Sequence, residues 1–342
     1  MTLSRPALRR PSLVLAGLSL LALGLTACSD DASGEAADCS VGFANPTGQN
    51  TYTGAVVDAL KTKVEARGCS FTELDAKLDV SQQISDVQTL ITQDVDALVI
   101  YPLDYDSVKN VLTKASDAGI AVFGDNADID ALGPDAPAAP LTGQLIDAHL
   151  SEDFIRARFD FLAETLPGGA GDVVYIGFGG PVAPLDKEWE LVQEVAADYP
   201  DINVLERINN PTDDVAGAQS PAAAALSKYP DLDAFVSYND PTAVGAAAAI
   251  KNAGKQASVI SIGAQLQPEG LTALENGSLA ASWDFTPVDM GAKLADLVIA
   301  SLDGDDEAAA QVVSGGFELY TAENVGDFVS NEDKLADLKA AE

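Results

Sequence analysis

The chain is short of the residues that most often carry out chemistry. Its 342 residues include one histidine, three cysteines, two tryptophans and two methionines. A single histidine excludes a histidine-rich zinc or iron centre, and a Ser-His-Asp triad would have to rest on it alone. Basic residues are scarce too: 19 Lys and Arg stand against 53 Asp and Glu, for a formal charge of −34. So acidic a chain repels a phosphate backbone, which excludes nucleic acid as a partner. Hydrophobic residues are plentiful, at 47%. That is enough for buried cores and excludes a disordered acidic tail. The length predicts one large or two medium domains.

The N-terminus reads as an export signal. Arg5, Arg9 and Arg10 precede an apolar run from Leu13 to Leu25, and small residues lead to Cys28. The run is too short to span a bilayer, which takes about 20 residues, and the order of basic, apolar and small residues is that of a secretory signal. Leu25-Thr26-Ala27-Cys28 is similar to a bacterial lipobox. That resemblance implies cleavage before Cys28 and lipidation of its thiol. Residues 1–27 are then the signal peptide, and 28–38 a polar tether. The signal carries three arginines and no acid, so its removal takes the net charge from −34 to −37. The expected product is an extracytoplasmic body anchored to the cell membrane by lipid.

From Cys39 onward short apolar runs alternate with longer amphipathic ones. The pattern predicts strands at 40–44, 70–74, 97–100 and 120–123, with helices at 52–67, 81–93 and 107–118 between them. After a Pro/Ala/Asp/Gly-rich loop it repeats. Helices are expected at 153–166, 185–198, 216–228 and 242–253, and strands at 172–177, 203–208, 234–238 and 258–262. Strict alternation predicts an α/β protein of two similar doubly wound parallel-sheet lobes. Ligands of such sheets sit beyond the carboxyl ends of the strands. The loops there carry amides, carboxylates and aromatics, among them Tyr52, Tyr101, Phe178, Trp189, Trp283 and Phe285, and almost no Lys or Arg.

Catalysis finds little support in those loops. Gly177-Phe178-Gly179-Gly180 lacks the dinucleotide spacing and has no phosphate-loop lysine, so it reads as a tight turn. His149 is expected to be a surface or capping residue rather than a base. No nucleophile setting, cofactor motif or metal-ligand cluster stands out. Binding finds more. Carboxylates and amides suit hydroxyl groups, and flat rings cover the apolar face of a sugar. Asp240-Pro241 reads as a helix N-cap followed by proline, which leaves Asn239 for a ligand.

Several segments together carry a resemblance. They are 83–90, QDVDALVIYPLD at 93–104, AGIAVFGD at 118–125, YPDLDAFVSYND at 229–240 and AVGA at 243–246. In this ordered series the chain from about 40 to 321 resembles the periplasmic sugar-binding proteins of the ribose- and galactose-binding type, the substrate receptors of ABC importers. The resemblance implies the type I periplasmic binding protein fold, with two lobes joined by a three-strand hinge. The first lobe would be 39–141 plus 287–312, the second 142–286 plus 313–330, and 331–342 a C-terminal tail. In that fold the first two strands are neighbours, which would let Cys39 and Cys69 form a disulfide; two buried free thiols are the alternative.

The family pattern carries over in part. Asp125 matches the family acid after the fourth strand, but Asn126 replaces the arginine that usually follows it. Asn239 matches the family asparagine. Glu188 or Trp189 stands where the family has an arginine in the second lobe. Gln265 stands for an aspartate, Asn50 and Tyr52 for paired phenylalanines, and Asp284 or Phe285 falls near the crossover amide. With Tyr101 and Phe178 these residues make up the expected ligand set, and the missing arginines exclude an anionic sugar phosphate or acid. The expected function is capture of a neutral small polar solute, a monosaccharide above all, by a monomer that delivers it to an ABC permease without covalent chemistry. A sensor of the same fold and a secreted carbohydrate-active enzyme are the competing readings, and within the binding class the acid-rich loops leave a cationic ligand open.

Overall fold

The computed structural model describes residues 37–129 and 139–342. The signal segment, Cys28 and the tether up to residue 36 lie outside the described residues.

The first half runs β1 (Cys39–Asn45), α1 (Thr51–Ala66), β2 (Cys69–Asp75), α2 (Val80–Thr92), β3 (Ala97–Ile100), α3 (Tyr105–Asp117), β4 (Ala121–Asp125) and β5 (Gly143–Ile146). The second runs α4 (Glu152–Thr165), β6 (Gly171–Phe178), α5 (Ala183–Ala196), β7 (Ile202–Asn210), α6 (Val215–Lys228), β8 (Ala234–Ser237), α7 (Asp240–Asn252), β9 (Ile260–Ile262), α8 (Pro268–Glu275) and β10 (Ser282–Asp284). The chain closes with α9 (Pro287–Leu302), α10 (Asp306–Ala309), β11 (Val312–Ser314), β12 (Glu318–Tyr320) and α11 (Asn331–Ala341). The seven helices expected from periodicity all form, each starting and ending within about two residues of its expected bounds.

Two sheets result. The first has the order β11-β5-β4-β3-β1-β2 with every neighbouring pair parallel. The second has the order β7-β6-β8-β9, also parallel, and a bridge from Ile262 to Ala281 brings the β10-β12 pair alongside it. All four residues of β3 are buried, as expected for a central strand with helices on both faces. Leu98 and Ile100 pack with Val87, Leu90, Val108 and Leu112 of α2 and α3. Val99 and Phe123 face the opposite way, toward Val56 and Leu60 of α1 and Leu294 of α9. Period-two alternation thus gives each helix layer its own half of the core.

Cys39 and Cys69 are register partners on β1 and β2 and form a disulfide. The bridge spans a sequence separation of 30, worth about 3–4 kcal/mol through the entropy it removes from the unfolded chain.

The crossovers differ from those expected. Gly143–Ile146 pairs with both β4 and β11, so the first crossing falls after Ile146 rather than at 141/142. A boundary at 312/313 would cut β11, which lies wholly in the first sheet; the return to the second lobe comes between Ser314 and Glu318. Residues 331–342 are no loose tail. They form α11, which packs on α1 and α9 of the first lobe, with an ion pair from Lys63 to Glu342 at 3.8 Å. The chain therefore crosses between lobes a fourth time. Its apolar spacing is weak, since five of its eleven residues are charged, so no helical stripe announced it.

Candidate functional site

The loops at the carboxyl ends of β1, β2, β3 and β5 in the first lobe and of β6, β7, β8 and β9 in the second meet between the lobes and line a cavity of about 60 Å³. The lobes touch around it. Ala183 N donates to Leu103 O at 2.9 Å, Thr51 Oγ1 donates to Gln267 Oε1 at 3.0 Å, and Asn50 Nδ2 reaches Asp213 Oδ2 at 3.5 Å. The cleft is closed. A wider groove of about 570 Å³ lies on the outer face of the second lobe beside α7 and β9. It draws on one lobe only and holds none of the unpaired buried polar atoms among the described residues, so the interlobe cavity is the better site.

Asn50 shows why local structure and site coincide. Its Oδ1 caps α1, accepting from Tyr52 N at 2.9 Å and Thr53 N at 3.2 Å, which satisfies helix-end donors. The same amide turns its Nδ2 across the cleft. Behind it, Tyr52 Oη donates to Asp147 Oδ2 at 3.1 Å. Asn126 then locks the crossover: its Oδ1 accepts from Asp147 N at 2.7 Å, and its Nδ2 donates to Asp125 Oδ1 at 3.3 Å. On the second lobe, Asp213 accepts from Tyr238 Oη and, at 2.6 Å, from Asn239 Nδ2.

Burial sets the electrostatics. Asp125 is pushed well above the usual carboxylate range, first by burial and then by the charge of Asp147. Tyr52 and Tyr101 are held well above the ordinary phenol value by burial and by the same two acids. Burial also raises Asp213, against the pull of its hydrogen bonds from Tyr238, Asn239 and Asn50. The backbone carries strain in the same place. Lys77, Leu78, Asn126, Asp213, Gln265, Leu266 and Thr286 all have positive φ, and each follows the carboxyl end of a strand. Among the described non-glycine residues only Asp94 does so elsewhere. Such residues cost energy and persist where surrounding contacts hold them.

Of the residues expected from sequence, Asn50, Tyr52, Tyr101, Phe178 and Gln265 line the cavity. Asp125, Asn126 and Asn239 stand one layer behind. Four expectations fail. Glu188 is turned inward to Arg158 at 2.9 Å. Trp189 packs on Tyr175 and borders an outer groove with Tyr199 and Asn203. Asp284, fully buried, is paired with Lys334 of α11 at 2.7 Å. Phe285 is core, edge-on to Phe154 and Tyr52. The capping assignment is also reversed. Asn239 is the N-cap of α7, accepting from Thr242 N at 3.0 Å, while Asp240 is buried and accepts from Gln267 N and Ser282 Oγ. His149, expected at the surface or as a cap, is 4% exposed and lines the cavity.

Asp147, Asp213 and Tyr238 were missed. The first lies beyond β5, a strand that its four residues did not announce. The second lies beyond β7, where the rule of watching strand ends, if applied, points straight to it.

A hinged pair of α/β lobes closed over a cavity of aromatic and polar side chains defines a ligand-binding protein that traps its solute between domains. The chain belongs to the periplasmic binding protein domain family, whose model matches residues 41–306. It is 27% identical to the ribose import binding protein of Salmonella typhimurium over 260 residues, covering 75% of this chain and 82% of that one. It is 26% identical to a xylitol-binding protein of Mycolicibacterium smegmatis over 303 residues, 85% of this chain and 80% of that one. An ABC transporter solute-binding protein from Burkholderia graminis, solved with D-arabinose, shares the fold with a TM-score of 0.76 at 20% identity, covering 86% of this chain and 99% of its own. Among the described residues no helix is long and apolar enough to cross a membrane.

Proposed function

We propose that this protein captures a small polyhydroxylated solute of the sugar or polyol class, without an anionic group, and presents the closed form to an ABC permease. The observation that carries the reading is the closed cavity, whose polar groups and rings come from both lobes, so that a ligand inside contacts each and favours closure. Relatives named for ribose and xylitol support the solute class, and among the described residues no lysine or arginine lines the cavity to hold an anion. Asn50, Gln265 and Asp147 supply hydrogen bonds, and Tyr52, Tyr101 and Phe178 supply flat apolar walls. The protein works as a monomer, uses no metal or cofactor, and makes and breaks no covalent bond in its ligand. Lipidation at Cys28 would hold it at the outer side of the cell membrane.

A thermal-denaturation screen of sugars, polyols, nucleosides and polyamines tests this. A ligand at 100 times its Kd stabilises by about 2.7 kcal/mol. A response to nucleosides alone, or turnover of a sugar by the purified protein, would refute the assignment.

A further inference from the structure

We propose that the solute carries an ammonium group beside its hydroxyls, as an amino sugar or amino polyol does, and that Asp147 receives it within a wall of aromatic rings. The proposal rests on reading the cleft as a polyol site and adds the charge of the ligand.

Among the described residues the cavity lining contains two carboxylates, Asp147 and Asp213, and no lysine or arginine. Asp125 is buried close to Asp147. The nearby buried cation, Arg158, is already engaged by Glu188 at 2.9 Å and by Ser237 O at 2.7 Å. Acid thus outweighs base where a closed cleft would exclude water, and buried charge calls for a partner.

Two buried polar atoms at this cavity lack one. Asp147 is 3% exposed; its Oδ2 is taken by Tyr52, but its Oδ1 has no hydrogen-bond partner. His149 Nε2 also has none, and its Nδ1 lies 3.5 Å from Asp147 Oδ2. An Nδ1–H directed at the carboxylate leaves Nε2 as an acceptor. The orphaned pair is then two acceptors, which asks for a donor-rich group. A hydroxyl offers one hydrogen and no charge. An ammonium offers three hydrogens and the countercharge.

The rings suit the same group. Tyr52, Tyr101, Phe178 and Tyr238 all line the cavity. Tyr52 and Tyr238 point their hydroxyls at Asp147 and Asp213, which leaves ring surface for the ligand. Cations are attracted to such surfaces, most strongly where water is excluded.

Calorimetric titration of the mature protein with matched pairs decides the matter: D-glucosamine against D-glucose, D-galactosamine against D-galactose, and 1-amino-1-deoxysorbitol against sorbitol. The amino member of at least one pair is expected to bind tenfold or more tighter than its neutral partner. Asp147→Asn should bring the two within about threefold. N-acetylation, which removes the charge, should abolish the preference in protein of native sequence, whether or not the variant folds. N-methylation of 1-amino-1-deoxysorbitol keeps the charge and should preserve it. Neutral members binding as tightly as their amines, or silence from every amine, would overturn the ammonium while leaving the polyol reading intact. Binding of putrescine, with none from any hydroxylated compound, would overturn both.

Discussion

The pair Arg158–Glu188 invites a direct test of what holds the second lobe beneath the cleft. Both side chains are 1% exposed. Arg158 Nη1 donates to Glu188 at 2.9 Å, Nη2 donates to Ser237 O at 2.7 Å, and the guanidinium sits 5.2 Å from the Phe154 ring and 5.9 Å from that of Tyr175. Arg158→Met keeps much of the apolar stem but leaves a carboxylate buried without its cation and a carbonyl without its donor. Removing one partner of a buried pair costs about 3–5 kcal/mol. For a lobe of this size that is a fall in Tm of roughly 6–20 °C, at about 2–4 °C per kcal/mol. Replacing both partners, as Arg158→Met with Glu188→Leu, removes the stranded charge and should recover most of the loss, to within about 1–2 kcal/mol of the native chain. Urea denaturation of the native, single and double variants measures all three. A single variant costing less than about 1 kcal/mol, or a double variant no more stable than the single one, would refute the view that the arginine is needed chiefly to neutralise Glu188.

Two further outcomes follow from the cleft. Asn50→Asp keeps an oxygen to cap α1 but faces Asp213 with a second carboxylate at about the present 3.5 Å; like charges at that range cost between about 1 and 5 kcal/mol as the effective dielectric falls from that of water to about 20. The ligand-free Tm should stay within a degree or two while affinity for the bound polyol drops at least tenfold, and unchanged affinity by calorimetry would remove Asn50 from the closed state. Asp240 is pushed up to about 7, mainly by burial, from an ordinary value near 4. Below pH 4 both folded and unfolded chains hold its proton. Between pH 4 and 7 only the unfolded chain releases it, so stability falls with rising pH by up to about 4 kcal/mol and levels off above 7. Asp240→Asn should erase that slope in urea titrations at pH 4.5, 6 and 8, and parallel profiles for the two proteins would contradict the burial argument.

The repeating lobes were legible because period and punctuation agreed locally. Gly68 and Gly119 end α1 and α3 with positive φ, and apolar spacing marks each helix face. The site was legible in part. Asn50 was reached through the family resemblance alone, and the structure adds that it is a cap that also faces the cavity. The site was hidden where rotation about a helix decides the matter. Glu188 and Trp189 are adjacent in sequence, yet one turns to a buried arginine and the other to an outer groove, and neither reaches the ligand space. Asp284 was hidden for another reason: its partner Lys334 is fifty residues on, in a helix whose docking no local pattern foretold.

That last helix has a mechanical consequence. β1 and α11 both belong to the first lobe, so the second lobe is inserted between them. Closing or opening the cleft then swings a loop of chain whose anchorage is fixed at both ends, and neither end of the body has to travel. A load applied at the start of β1 or at α11 would act on the same, stationary half. The stationary half is also stapled at its first residue, since Cys39 ties that strand to its neighbour. Distance probes for closure should therefore pair α11 with a site on the second lobe. A pair placed on β1 and α11 would stay silent.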